Sequence, residues 1–303
     1  MTEKLRQAIM AKMPELQIKT DEPLKNHCSF RIGGPADIIF VNTEAELLEL
    51  MALLKAEGVK PLILGKGTNM LFADEGLARP VIRLAGSFCE AKMLENGCIE
   101  AGGAISLASL ACLARDNSLT GLEFAHGIPG ALGGAIYMNA GAYGGEMKDV
   151  LESVRFYSGD TGEIIEKLAS ELGLAYRTSC FEGREDIILS AVVRLAPGAK
   201  EEISGRMQEL IEKRKTSQPL DKPSAGSTFK RPAVGYAAAL IDECGLKGFA
   251  VGDAQVSEKH AGFVVNNGGA SCADVLELMD KVKEIVLREK GIELCPEVRI
   301  IRD

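Results

Sequence analysis

The chain has 303 residues, long enough for two or three domains, and its 46% hydrophobic and 26% charged content is that of an ordinary globular protein. A net charge of −8 excludes general affinity for nucleic acid, which needs a basic face against the phosphates, but leaves room for an anionic small ligand held by a few local donors. No apolar run approaches the roughly 18 residues of a membrane span, so stable membrane insertion is not expected.

The N-terminus carries scattered charges and no apolar core of signal-peptide type, which predicts a cytoplasmic protein. Leu5, Ile9 and Met13 instead fall on one helical face. Gly33, Gly34 and Pro35 then make a turn, and residues 36–41 read as a strand. Thr43 and Glu46 form a capping-box pattern ahead of Leu47, Leu50, Met51 and Leu54, predicting a helix that ends at Gly58. A short strand at 61–64 runs into the glycine-rich loop GKGTN at 65–69, and 80–84 is a further strand. Met70 stands where a third Rossmann glycine would be, and the Walker A spacing also fails. Taken alone, 65–69 is either an ordinary turn or a phosphate site.

A second unit begins near residue 86. Residues 98–101 read as a strand entering Gly102-Gly103, followed by a helix with Leu107, Leu110, Ala111 and Ala114 inward. The stretch Gly121–Gly145 comes next and holds eight glycines. Glycine costs backbone entropy, and that density is out of place in an ordinary helix or strand. It suits a loop whose N–H groups converge on an anion such as a pyrophosphate; the alternative is a tight connection between buried elements. Pro129 stiffens the approach to Gly130–Gly134, and Asn139 and Tyr143 add hydrogen-bonding side chains.

Strands dominate afterwards, at 150–157, 163–167 and 187–195, with SGDTG at 158–162 as a hairpin turn. Residues 176–179, YRTS, lie in a loop. Residues 200–215 form a helix with Ile203, Met207, Leu210 and Ile211 inward, and its basic end, Lys213-Arg214-Lys215, is expected to face solvent. The proline-bearing run TSQPLDKPSAGSTFKRP reads as a linker. Beyond it come strands near 248–251, 261–265 and 297–301. Ser271 and Asp274 cap a helix that Gly291 ends. The pattern is α+β, with expected domains at 1–85, 86–215 and 216–303.

The eight cysteines show no CxxC pair, and His27, His126 and His260 are far apart, so no metal site is expected. Reduced, mostly buried thiols are the expected state. Arg177, Ser227 and Glu297 stand out as polar residues in loops or at strand ends that could converge. From residue type alone each is equally a surface charge, a turn serine or a solvated glutamate.

Seven stretches taken together resemble one family: SFRIGGPAD (29–37), GKGTN (65–69), GLEFAHGIPGALGGAIYMNAGAYGGEM (121–147), YRTSCF (176–181), PSAGSTFKRP (223–232), KHAGFVVN (259–266) and PEVR (296–299). The chain resembles the UDP-N-acetylenolpyruvoylglucosamine reductase family, from about Asn26 to Ile301. It is similar to the shorter form, without the inserted tyrosine-bearing loop. Thr68 stands where serine is usual, and Cys295 precedes Pro296 at a variable place.

The resemblance implies a two-part FAD-binding region of the vanillyl-alcohol-oxidase (PCMH) type, followed by a C-terminal α+β substrate-binding domain. It implies non-covalent FAD, with NADPH as hydride donor, acting on a C=C bond of an enolpyruvyl UDP-sugar in peptidoglycan precursor synthesis. That is a role in cell wall biogenesis, and through it in cell shape and division. No obligate protein partner is implied. Carried over residue by residue, the resemblance implies Arg177, Ser227 and Glu297 as catalytic. Ser227 would supply a proton, and Arg177 with a protonated Glu297 would stabilise enolate-like charge. Arg31, Gly65, Lys66, Gly67, Thr68, Asn69, Met70, Gly127, Ile128, Pro129, Gly130, Gly134, Ala135, Asn139, Ala140, Gly141, Ala142, Tyr143 and Gly144 are implied as cofactor-binding. Tyr176, Lys230, Arg231 and His260 are implied as substrate-binding. Two readings stay open beside this one. Another flavoenzyme of the same fold, such as an oxidase of a small alcohol, would keep the glycine loops. A non-enzymatic nucleotide-binding module would lack turnover.

Overall fold

Thr43 Oγ1 accepts the backbone N–H of Glu46 at 3.2 Å and starts the helix Glu44–Ala56. Ser271 and Asp274 form a reciprocal capping box at the start of the helix Cys272–Lys290, which Gly291 ends in the left-handed conformation. Both helices stand where the sequence signals put them, in a computed structural model that covers residues 1–303.

The chain divides into two units, each gathered from separate lengths of sequence. Met1–Lys19, Ile38–Lys66 and Arg79–Arg214 form the first; Thr20–Asp37, Gly67–Ala78 and Lys215–Asp303 form the second. This differs from the expected succession of three domains. The first two share one unit, and two short early segments group with the C-terminal part. The cause is non-local pairing: Met70–Phe72 runs parallel to Arg299–Ile301, and the N–H of Ser29 donates to the carbonyl of Gly67.

The first unit has two apolar cores. One lies around the helix Glu44–Ala56 and the parallel strands Pro35–Val41, Val81–Leu84 and Leu62–Ile63, with Leu5 and Ile9 of the first helix packed into it. The other lies against an antiparallel sheet ordered Ile164–Leu168, Leu151–Tyr157, Ile187–Arg194, Cys98–Gly102 and Ala91–Met93. The turn at 158–162 joins the first two of these strands as expected.

The glycine stretch is more structured than its composition predicts. It contains two short helices, Glu123–His126 and Leu132–Tyr137, and Phe124, Ala125, Leu132, Ala135 and Ile136 are core residues. Glycine serves close packing here. A Cβ on Gly133 would stand 3.1 Å from the carbonyl oxygen of Gly103, a tight contact that would press this helix a few tenths of an ångström away from the chain beside it.

In the second unit, the run expected to be a linker contains the strand Ser224–Ser227. It pairs antiparallel with Phe263–Asn266, which continues to Ala254–Val256 and Ala250–Val251. The helix Cys272–Lys290 buries Val275, Leu278, Met279, Val282 and Val286. Asp74 accepts from the backbone nitrogens of Cys272 and Ala273, at 2.7 and 3.2 Å. A carboxylate there suits the partial positive charge of the helix start. All eight cysteines are free thiols, but only Cys28, Cys98 and Cys272 are fully buried, and Cys89 and Cys295 are exposed. No helix is long and apolar enough to cross a membrane.

Candidate active site

Within the second unit, four stretches far apart in sequence are tied together by backbone hydrogen bonds. Thr228 is the junction. Its carbonyl accepts the N–H of Glu297 at 2.8 Å, its N–H donates to Gly262 at 2.8 Å, and its Oγ1 accepts from Val264 at 3.0 Å. The N–H of Lys230 donates to Cys295 at 2.8 Å. The side chain of Asn69 donates to the carbonyl of Glu297 at 3.0 Å, and the N–H of Arg299 donates to the carbonyl of Asn69 at 3.0 Å. The Thr68–Asn69, Ser227–Lys230, His260–Gly262 and Glu297–Arg299 segments are therefore one hydrogen-bonded assembly. Thr228 is 4% exposed, while Ser227, Glu297, Lys230 and His260 are half-buried beside it.

Local chemistry explains the placement. Gly226 has φ +78, which breaks the register of the strand Ser224–Ser227 before Ser227 pairs with Phe263. Gly67 has φ +60, and a Cβ there would stand 2.5 Å from the carbonyl oxygen of His27, so the turn into Thr68 requires glycine. His260 Nδ1 accepts the N–H of Gly262 at 3.2 Å, and its ring meets Phe263 edge-on at 5.0 Å. Burial lowers its pKa, which keeps the ring neutral with its proton on Nε2. Arg231 is exposed and lies 4.8 Å over the ring of Tyr236. Arg31 is exposed in the same unit with φ +56, and Met70 begins a strand.

Within the first unit, Tyr176 and Arg177 form the tip of a two-residue turn. Ala175 and Thr178 exchange both backbone hydrogen bonds at 3.1 Å. Arg177 takes φ +53, which is rare for a residue with a side chain, and its guanidinium lies 5.3 Å from the Tyr176 ring centroid. Ser179 Oγ anchors the turn by donating to the carbonyl of Tyr137 at 2.7 Å.

Asn139 holds the other side of that turn. Its amide donates to Glu146 at 2.6 Å and to the carbonyl of Ala175 at 3.1 Å, and its oxygen accepts the N–H of Lys148 at 2.9 Å. It is 1% exposed. This corrects the expectation of Asn139 as a cofactor contact through its side chain, because both its donors are spent on the protein. Lys148 first, and Asn139 and Arg177 less strongly, hold the Glu146 carboxyl below its usual pKa. Ala135 is a buried core residue. Of the other expected cofactor residues here, Gly65, Lys66, Pro129, Gly134, Tyr143 and Gly144 are exposed, and Gly127, Ile128, Gly130, Ala140, Gly141 and Ala142 are half-buried.

Three residues escaped sequence reasoning. Thr228 acts through hydrogen bonds to partners distant in sequence, and Glu146 through its bond to Asn139 across a turn, which residue spacing does not announce. Arg214 was expected to face solvent at the end of its helix. Its flanking lysines do, but Arg214 turns inward and its Nε is buried.

Comparison with known proteins matches two regions of the chain. Residues 218–301 match a model of the UDP-N-acetylenolpyruvoylglucosamine reductase C-terminal domain, and residues 35–167 match an FAD-binding domain. The chain is 45% identical over 290 residues to the UDP-N-acetylenolpyruvoylglucosamine reductase of Caldanaerobacter subterraneus, covering 95% of each chain. It is 45% identical over 285 residues to that of Clostridioides difficile, covering 94% of this chain and 93% of the relative. The crystal structure of the reductase from Thermus caldophilus superposes with a TM-score of 0.81 at 38% identity, over 95% of this chain and 100% of that one. On this evidence the chain belongs to the UDP-N-acetylenolpyruvoylglucosamine reductase family.

Proposed function

We propose that the chain uses Ser227 as proton donor, and Arg177 and Glu297 as charge-stabilising groups, in the NADPH-dependent reduction of the enolpyruvyl group of UDP-N-acetylenolpyruvoylglucosamine to UDP-N-acetylmuramate. Membership of the family makes it an FAD-dependent oxidoreductase of peptidoglycan precursor synthesis. The residues present fit FAD. Gly134 and Gly144 leave open space where a Cβ would stand, and no core side chain fills it. Gly65, Lys66, Gly67, Thr68 and the exposed glycines of 127–144 are the residues that would hold the cofactor through their backbone. When bound, FAD supplies the hydride transfer between NADPH and the substrate.

The single observation that carries the residue roles is the Thr228 junction, which fixes Ser227 and Glu297 on one hydrogen-bonded frame. Reduction of the enolpyruvyl double bond needs a hydride at one carbon and a proton at the other. Ser227 Oγ is the proposed source of that proton. Serine is a weak acid, so it suits only the strongly basic centre that the reaction generates. Arg177 is proposed to donate hydrogen bonds to the charge that builds towards the substrate carboxylate, and Glu297 to assist it in its carboxylic acid form, whose acid proton a glutamine lacks. Tyr176, Lys230, Arg231 and His260 are proposed substrate contacts, the two cations answering the sugar nucleotide's negative charge. A cytoplasmic setting belongs to the same reading, since NADPH and a nucleotide-activated sugar meet there and eight free thiols suit a reducing compartment.

The deciding experiment is NADPH oxidation by the purified flavoprotein with and without the enolpyruvyl sugar nucleotide. Substrate-dependent turnover is expected, with Glu297→Gln retaining flavin but losing most of that turnover. Unchanged turnover in Glu297→Gln would return Glu297 to an ordinary solvated residue ahead of its strand.

A further inference from the structure

Arg214 is anomalous as a structural residue. It lies in the last turn of the helix Lys200–Ser217, where a cation complements the helix end. Its neighbours Lys213 and Lys215 are exposed, and Lys213 pairs with Glu209 on the helix surface. Arg214 instead points inward, and its Nε is shut off from solvent without a hydrogen-bond partner. No carboxylate pairs with it. Burial lowers its pKa, and the only group acting in the other direction is the Tyr143 phenol. Arg214 is half-buried, and a guanidinium nitrogen closed off from water with no acceptor costs folding free energy, which a ligand acceptor would offset.

Its surroundings indicate the use. The Cδ of Arg214 lies 3.5 Å from the point where a Cβ of Gly127 would stand, so the side chain runs along the glycine stretch. His126, next in the chain, has a buried Nδ1 that also lacks a partner. Desolvation, with Arg115 adding to it, lowers the His126 pKa and keeps the ring neutral. Tyr143 belongs to the same stretch and is 41% exposed. The combination is a half-buried cation with an unpartnered Nε and an unpartnered ring nitrogen, beside the loop that would hold the cofactor.

We propose that Arg214 is a cofactor-binding residue whose guanidinium pairs with a phosphate of the FAD diphosphate at the Gly127 end of the glycine stretch. The proposal rests on FAD being the cofactor. A phosphate offers oxygens in the planar, forked geometry that a guanidinium matches, and it neutralises the buried charge. The protein thus holds an unsatisfied cation that the cofactor completes, which couples FAD uptake to the stability of this unit.

The test uses apoprotein of wild type, Arg214→Met and Arg214→Lys. FAD is titrated by fluorescence quenching at several salt concentrations, riboflavin serves as a phosphate-free probe, and apoprotein melting is recorded. Arg214→Met is expected to weaken FAD by about 10- to 100-fold and flatten the salt dependence, as loss of a charge-assisted pair should. Arg214→Lys should keep part of the affinity, and riboflavin binding should not change. Apo Arg214→Met should melt at or above the wild-type temperature, because a half-buried cation with an unpartnered nitrogen has gone. Unchanged FAD affinity would overturn the proposal. So would an equal loss for riboflavin, which would put Arg214 on the ring, or a lowered apoprotein melting temperature, which would make it structural. A wild-type protein that takes up no FAD would overturn the cofactor assignment first, and the Arg214 proposal with it.

Discussion

The carbonyl oxygen of Thr228 lies 2.8 Å from the backbone nitrogen of Glu297. The residue that follows Ser227 in the chain is thus bonded directly to the residue proposed to act beside it. Thr228 Oγ1 also accepts from Val264, so a side chain with no proposed chemistry of its own braces the strand that carries Ser227.

Thr228→Val keeps the volume and removes that acceptor, leaving the buried N–H of Val264 unpaired. A loss of about 1–3 kcal/mol of stability is expected from the unsatisfied donor. Urea unfolding measures it. Substrate turnover should fall as well, because the frame of Ser227 and Glu297 loosens, while reduction of the flavin by NADPH stays near wild type.

Ser227→Ala separates the two halves of the cycle. NADPH delivers its hydride without needing a proton at the sugar, whereas the enolpyruvyl group needs both. Stopped-flow absorbance of the flavin should show nearly normal reduction by NADPH. Reoxidation by substrate should slow by a factor at or beyond the top of the ~10²–10⁴ range typical of proton transfer. Equal losses in both halves would show that Ser227 only shapes the pocket.

Gly134→Val tests the ligand rather than the fold. A Cβ at Gly134 meets no atom beyond its own helix backbone and chain neighbours within 4 Å, so the surrounding protein has room for one. Loss of bound flavin with an intact circular dichroism spectrum is the expected result. Gly145→Ala is the contrast, since its Cβ would fall 2.6 Å from the ring of Phe124 and should destabilise the protein itself. Full flavin content in Gly134→Val would remove this part of the stretch from the cofactor site.

Thiol reactivity should follow burial. Desolvation, with Asp74 and Glu75 adding to it, pushes the Cys272 thiol up to about 11. A folded pKa above the unfolded value favours the protonated thiol. Its contribution to stability is complete below the unfolded pKa of about 8.5 and is lost as pH rises through about 11. Iodoacetamide at pH 8, followed by mass spectrometry, should label the exposed Cys89 and Cys295 quickly and spare Cys272. Labelling of Cys272 at the rate of Cys295 would contradict its burial.

What could be read from the sequence was local. The caps at Thr43 and Ser271, the inward faces of their helices and the hairpin at 158–162 depend on neighbours in the chain, and the structure contains all of them. The strand Ser224–Ser227 was hidden because its proline-bearing surroundings resemble a linker and its partner lies at Phe263–Asn266. The short helices at 123–126 and 132–137 were hidden because the glycines around and within them read as a loop, whereas Gly133 packs against Gly103. Arg214 was misplaced because its two flanking lysines do face solvent. Composition cannot say which of three adjacent cations turns inward.

The bond between Asn69 and Glu297 joins residues 228 positions apart, and the strand beginning at Met70 has its parallel partner at Arg299–Ile301. On the ribosome, residues 20–37 and 67–78 emerge long before the chain they fold with. The second unit therefore completes only after residues 299–301 have been made, with its early strand unpaired until then. Such late, long-range closure is slow and leaves an open strand edge to be shielded in the meantime. A fragment limited to residues 218–301 would lack that strand and the Phe30 carbonyl that Asn266 holds at 3.1 Å, so the C-terminal domain is not a portable module.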